Sequence, residues 1–303
     1  MLKPKILFSR CFFEPVRYNG GVVIDEFIEK LKSYVDHIYV CPEVEIGLGV
    51  PRPRIIILKD TKKKLIQPET GLDLTERMLS YIENFLKYLD DVDGIILKAK
   101  SPSCGVYSTK LYKDGVVVGK TDGFFAEGLK KAYPLLPLED EGRLRDEEIR
   151  YHFLTRVFSC RELRALLESP SAKELVEFHT KYKYLLMTYS QKHLKQLGSI
   201  VANGKLSLTE KISIYREVFC QALKRKPTNK RHINTLMHIF GHISNKLNNR
   251  EKRHFQELLE KYRKNRIELR VLVELIRNFA YRFENQYLLM QKYLEPFPEA
   301  LVV

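Results

Sequence analysis

Through the first 140 residues, short apolar runs alternate with stretches of helical spacing; after them only helical spacing remains. Lys5–Ser9, residues 37–40, residues 54–58 with their three consecutive isoleucines, and Gly94–Leu97 read as strands. Residues 23–33 place Ile24, Phe27, Ile28 and Leu31 at helical steps, and residues 72–89 do the same with Leu74, Met78, Tyr81, Ile82, Phe85 and Leu89. Residues 123–132 read as a further helix. This alternation predicts an α/β domain of Rossmann-like type with a mostly parallel sheet. The second half predicts an all-α domain. Ser171 with Glu174, and Ser207 with Glu210, have capping-box spacing, and Thr228 can cap a third helix. The stretch from Glu251 to Tyr293 has room for two more helices, broken near Asn265. The proline-rich and then acidic segment 134–142 marks the expected boundary, giving domains 1–142 and 143–303.

Charge divides along the same line. Residues 1–150 carry 24 basic and 24 acidic side chains, while residues 151–303 carry 28 and 14, so the whole excess of +14 lies in the helical half. A neutral domain joined to a basic one suggests separate tasks, with a polyanion as the partner of the second. A solvated basic surface that aids solubility is the plainer reading. The basic candidates are Lys181 and Lys183, interleaved with Tyr182, Tyr184 and Tyr189, and the run Lys224, Arg225, Lys226 followed by Lys230 and Arg231. Tyrosines at this spacing are core residues more often than base-stacking ones, so the expectation of nucleic-acid contact rests on the charges. No apolar run approaches the roughly 18 residues of a membrane span, and Arg10 interrupts the N-terminus before a secretory apolar stretch develops. The expected location is cytoplasmic, where cysteines are thiols or ligands rather than disulfides.

Three of the five cysteines follow strands: Cys11 after the first, Cys41 after the second, Cys104 after a later one. In an open parallel sheet, ligands gather at the carboxyl ends of strands, where strand order reverses, so residues far apart in sequence become neighbours there. Three thiols without a fourth admit a zinc site completed by water or histidine, or an iron–sulfur cluster with one iron open to substrate. Buried structural cysteines are the third reading, and spacing alone leaves the choice open because no CxxC pair occurs. Cys160 and Cys220 sit on apolar or half-apolar helical faces and read as packing residues.

A set of motifs carries a resemblance. Ser9-Arg10-Cys11, Arg17-Tyr18-Asn19-Gly20-Gly21, Cys41-Pro42-Glu43-Val44, Gly49-Val50-Pro51-Arg52-Pro53 and Lys98-Ala99-Lys100-Ser101-Pro102-Ser103-Cys104-Gly105 occur in this order. Over roughly residues 1–145 the chain resembles the TudS-like thiouracil desulfidase family. The rest is similar to the helical domain often fused to that module, as in the RudS-type desulfidases that act on 4-thiouridine in tRNA. The resemblance implies an α/β fold and a [4Fe-4S] cluster bound by Cys11, Cys41 and Cys104, with one iron not ligated by protein. It implies Glu43 and Ser101 as the catalytic polar residues. Ser9, Arg17, Tyr18, Lys98 and Ser103 follow as candidate substrate contacts. Where family members often have two leucines and a glycine after the first cysteine, this chain has Phe12, Phe13 and Glu14; Glu45 and Ile46 replace small residues. These departures bear on the shape and charge of the substrate pocket.

The expected reaction is hydrolytic removal of sulfur from a thiolated pyrimidine, without net redox, on 4-thiouridine in tRNA. Action on free thiouracil or thionucleotides is a close alternative. A non-enzymatic iron–sulfur RNA-binding sensor is an alternative of a different class. Weaker motifs carry less. His238 and His242 have helical metal-ligand spacing but lack the glutamate of a metalloprotease helix, and Gly119-Lys120-Thr121 lacks the upstream glycines of a phosphate loop.

Overall fold

A computed structural model describes residues 2–89 and 91–301. In chain order the first half contains β1 (Lys5–Ser9), α1 (Glu26–Lys32), β2 (Asp36–Val40), α2 (Pro42–Glu45), β3 (Ile56–Lys59), β4 (Lys63–Gln67), β5 (Leu72–Asp73), α3 (Thr75–Tyr88), β6 (Gly94–Leu97), β7 (Thr109–Lys113), β8 (Val116–Thr121), α4 (Phe124–Ala132) and β9 (Leu138–Asp140). The second half contains α5 (Glu147–Glu168), α6 (Ala172–Tyr189), α7 (Gln191–Ala202), α8 (Leu208–Leu223), α9 (Asn229–Gly241), α10 (Asn249–Arg263), α11 (Leu269–Arg282) and α12 (Gln286–Leu289). The layout is α/β followed by all-α.

The chain packs as two compact units. One runs through Arg161 and takes in residues from Ala300 on; the other is Glu162–Glu299. The division falls inside α5, further along than the proline-rich segment 134–142. Packing against the sheet is the reason. Gly94 of β6 has no side chain, and a Cβ there would stand 2.6 Å from Val157 and 3.5 Å from Phe153, both on α5. The first turns of α5 thus cover the sheet and belong to the α/β unit.

Two sheets build this unit. The first has strand order β2-β1-β6-β9 and every pairing is parallel. Its two central strands, β1 and β6, read as near-continuous apolar runs because both of their faces are covered; β2, at the edge, exposes Asp36, His37 and Tyr39. The second has order β5-β4-β3-β7-β8 and is antiparallel except for the β3–β7 pair. The three isoleucines expected in the parallel sheet therefore lie beside or in β3 of the mixed sheet. The β7–β8 hairpin closes through Asp114-Gly115, both in the left-handed region (φ 50° and 78°), a turn signal that a hairpin prediction can use.

In the second unit, the serines do what their spacing predicts. Ser171 and Ser207 accept from the N–H groups of Glu174 and Glu210, and the Ser207 capping box is complete. Thr228 precedes α9 but makes no capping bond. The break near Asn265 is real: α10 ends at Arg263, and Asn265 has φ 54°. Tyr182, Tyr184 and Tyr189 are core residues, and the rings of Phe240 and Phe255 stack 4.0 Å apart at 2°. No described helix is long and apolar enough to cross a membrane.

Candidate active site

The parallel order β2-β1-β6 places three strand ends side by side, and each delivers a cysteine. Cys11 lies in a short 3-10 turn that follows β1, Cys41 precedes the first turn of α2 directly after β2, and Cys104 lies in the loop after β6. Order reverses here, because the chain steps from β1 to β2 on one side and later returns to β6 on the other. All three thiols are buried and free. Burial pushes the Cys11 thiol up to about 12, with the neighbouring Cys41 adding to the effect. Burial likewise raises Cys41, and raises Cys104 well above the usual thiol value, where Cys41 and Cys11 both contribute. Cys11 and Cys104 thus each sense Cys41, which places the three thiols in one neighbourhood.

Among the described residues, no three His, Cys, Asp or Glu groups close on a point as ligands of a single metal ion. The donor set is three soft thiols in a dry setting, where unpaired thiolates are costly. A polynuclear group spreads its ligands over several metal atoms and takes thiolates outright. The residues fit such a group better than they fit a lone zinc ion.

Glu43 sits two residues beyond Cys41, buried in α2. Its Oε2 accepts from Arg52 Nε at 3.0 Å and Nη2 at 2.7 Å. Its Oε1 accepts from Ser101 Oγ at 3.2 Å and Ser103 Oγ at 3.1 Å. All four lone-pair positions of the carboxylate are occupied. Arg52 is itself buried, and its Nη1 donates to the carbonyls of Val16 and Gly49 at 3.0 and 3.2 Å. Its backbone N–H donates to the Tyr18 carbonyl at 2.8 Å. Arg52 therefore locks Glu43 to the segment around Arg17 and Tyr18. Its motif was visible in the sequence, but nothing local says that a surface-type residue turns inward.

Ser101 also anchors the Cys104 loop, since its Oγ accepts from the N–H groups of Ser103 and Cys104 at 3.2 and 3.1 Å. Lys100 and Tyr107, which flank this loop, adopt φ of 63° and 52°, a strained choice for side chains of their kind. Asp140 is fully buried and accepts from Val106 N–H and the Ser108 hydroxyl, fixing the far end of the loop. The start of α4 grips it from below: Gly123 N–H donates to Gly105 O, Phe124 N–H to Pro102 O, and Phe125 N–H to Ser103 O. A Cβ on Gly123 would stand 2.5 Å from the carbonyl of Ser103 and 2.8 Å from Cys104 N. These are backbone atoms and cannot step aside cheaply. Gly123→Ala is expected to displace Cys104, at a cost of about 1–3 kcal/mol. Its thermal midpoint should fall; an unchanged midpoint would show that the loop tolerates the shift.

Ser9 is buried, and its Oγ accepts from Lys98 N–H at 2.9 Å and bonds to Cys104. Lys98 is held by Glu141 and by the Ala99 carbonyl, close enough to Cys11 to favour its thiolate. Glu141, fully engaged with Lys98 and Ala99 N–H, was not legible as a site residue because it lies in an acidic linker-like segment. Arg17 and Tyr18 are half-buried, with Arg17 and Arg54 over the Tyr18 ring at 5.8 and 5.1 Å. The added acidic residues Glu14 and Glu45 both pair with Arg10, so the departures in charge compensate locally. Phe13 stacks on His37 and Tyr39.

In the second unit, Lys181, Lys183, Lys224, Arg225, Lys226 and Lys230 are exposed. Arg231 is exposed as well and donates to the Tyr189 carbonyl. His238 is exposed while His242 Nε2 lies 2.6 Å from the Tyr184 hydroxyl, so the two serve different surroundings.

The strand ends of an open parallel sheet are where ligands gather, and the three thiols stand there. Residues 6–141 match the 2-thiouracil desulfurase family, and residues 183–298 match a family described as a protein of unknown function (DUF1722). The first half of this chain is thus similar to the 2-thiouracil desulfurase family. The chain is also 25% identical over 151 residues to the uncharacterized protein YbgA of Escherichia coli (strain K12), covering 49% of this chain and 89% of YbgA. Among solved structures it is similar to TudS, a [4Fe-4S]-dependent thiouracil desulfidase, at 27% identity over 48% of this chain and 95% of that one, with a TM-score of 0.39.

Proposed function

We propose that this protein removes sulfur hydrolytically from a thiolated pyrimidine, with Cys11, Cys41 and Cys104 holding a [4Fe-4S] cluster, and that its substrate is 4-thiouridine in tRNA. The observation that carries the reading is the convergence of three buried thiols from three adjacent strand ends beside the fully engaged carboxylate of Glu43. A cluster with one iron free of protein ligands supplies a soft Lewis acid for a thiocarbonyl sulfur. The chain's own residues handle the water. Glu43 takes its proton, and Ser101, the more exposed of the two serines on Oε1, yields its place there as the water enters. Ser103, fully buried, keeps its bond to Glu43 and holds the carboxylate in line. Arg52 prevents the carboxylate from swinging away. Water adds its oxygen at the ring carbon and sulfur leaves as hydrogen sulfide, so no electrons are exchanged.

The tRNA assignment rests on charge. The excess of +14 in residues 151–303 has no task in chemistry housed in a neutral half. Exposed lysines and arginines that neutralise phosphates release counterions, so binding should weaken steeply with salt. Anaerobic incubation with thiolated tRNA and with free thiouracil, following loss of thiocarbonyl absorbance, tests the reading. Reversing Lys224, Arg225 and Lys226 to glutamate is expected to raise KM for tRNA at least tenfold and to change kcat far less, with a shallower salt dependence. Equal KM values for the reversed and native proteins at physiological salt would remove tRNA from the proposal and leave the free thiobase as substrate.

A further inference from the structure

The mixed sheet buries one face and leaves the other open. Ile57, Leu65 and Thr109 belong to the inner face and are buried, as strand alternation requires. Register sets Ile56 opposite Ile66, Leu58 beside Tyr112, and Tyr112 opposite Val117 on the outer face, and none of these is buried. The water-facing side thus carries a tyrosine among aliphatic residues, where polar ones are usual. The Tyr112 ring makes no stacking or cation contact among the described residues. Lysines frame it. Lys64 stands opposite Leu58, and Lys110 and Lys120 stand directly opposite each other, all three exposed. Lys64 pairs with Asp60, whereas Lys110 and Lys120 make no ion pair among the described residues. Like charges directly opposite in an antiparallel pair are destabilising, and the fold supplies nothing to offset them. Residues 56–73 and 109–121, which build this sheet, hold seven lysines against four acidic residues, although residues 1–150 as a whole are neutral.

We infer that this face binds single-stranded RNA, with Lys110 and Lys120 on phosphates and Tyr112 under a base; the inference rests on the tRNA reading above and gives the α/β unit an RNA contact of its own. A strand of RNA presents repeated negative charge together with flat apolar bases, and so answers both features at once. Aromatic residues on a sheet stack unpaired bases, and neighbouring lysines neutralise the backbone. An acidic protein segment would answer the lysines and leave the ring without a partner. A second copy of this chain is disfavoured at the open edge, because the register of β8 shifts between its partners Leu111 and Tyr112, leaving Val118 as an extra residue; such bulges discourage strand pairing. The face is also tied to the thiol site. Strand β7 begins shortly after Cys104, and the Thr109 hydroxyl at its start donates to the Ser101 carbonyl at 2.6 Å.

The experiment uses the full chain and reads binding apart from turnover. Fluorescence anisotropy with a labelled single-stranded oligouridylate and with unmodified tRNA should show the double variant Lys110→Glu Lys120→Glu weakened at least tenfold on both. Its slope of log affinity against log salt on the oligouridylate should fall by about 1.4, the value for two phosphate contacts on a single strand. Tyr112→Ala should weaken the oligouridylate about tenfold and leave that slope unchanged, as loss of a stacking contact does. Lys120→Glu alone sets opposite charges across the Lys110 pair. It should melt no lower than the native protein and still bind the oligouridylate several-fold more weakly, which separates lost contact from lost fold. Native affinity in the double variant or in Tyr112→Ala overturns the inference. So does a double variant weakened toward labelled polyglutamate and not toward RNA, which assigns the face to an acidic protein. If the native protein binds RNA through this face and desulfurates no thiolated tRNA, the substrate reading fails and the RNA interface stands.

Discussion

Replacing Cys11, Cys41 or Cys104 by alanine is expected to take the anaerobically prepared protein from about four irons per chain to well below one, with loss of desulfuration. The three positions are similar in origin: each follows a strand, and the three strands are neighbours in one parallel sheet. They are also equivalent in environment, since burial raises all three thiols. A cluster ligated by three cysteines has no spare donor to replace a lost one. Cys160 and Cys220 stand on the helices α5 and α8 and not in strand-end loops, and their alanine variants should keep iron and activity. Iron assay together with the absorbance of the brown protein reads the result. An iron-free Cys104→Ala protein with full activity would end the cluster hypothesis.

Glu43→Gln should keep the iron and lose turnover by about a hundredfold or more, the scale of a general base. The amide preserves the size of the side chain but cannot take the proton of the attacking water. Arg52→Ala should act differently. It leaves the Glu43 carboxylate buried without its counter-charge, a loss worth about 3–5 kcal/mol, and frees the Val16 and Gly49 carbonyls that the Arg52 guanidinium holds. Its melting midpoint should fall several degrees, and activity should fall with it. The double variant Arg52→Met Glu43→Gln, which removes both charges, should regain much of the stability and none of the activity. Chemical denaturation and turnover at fixed iron content separate the two effects. A single Arg52→Ala variant as stable as the native protein would show that Glu43 has another counter-charge.

The sequence by itself determined the class of fold and the identity of the candidate ligands. Periodicity alone separated strands from helices at β1, β2, β6, α3 and α4, because these elements bury one face or both and the chain must repeat apolar residues accordingly. Capping serines located α6 and α8, because the unsatisfied N–H groups of a helix start demand a local acceptor. Cysteines directly after strands pointed to one edge, because a parallel sheet collects its strand ends there. The tertiary structure decided what periodicity does not encode. It sent the isoleucine-rich strand to a second, mixed sheet and paired it with β4 and β7, since strand pairing is a choice among distant partners. It extended the first unit to Arg161, because the apolar face of α5 covers β6 at Gly94. It turned Arg52 inward onto Glu43, tied Glu141 to Lys98, and set Gly123 against the Cys104 loop. Each of these contacts joins residues brought together only when the strands are laid side by side, and a single chain read along its length carries no local signal for them.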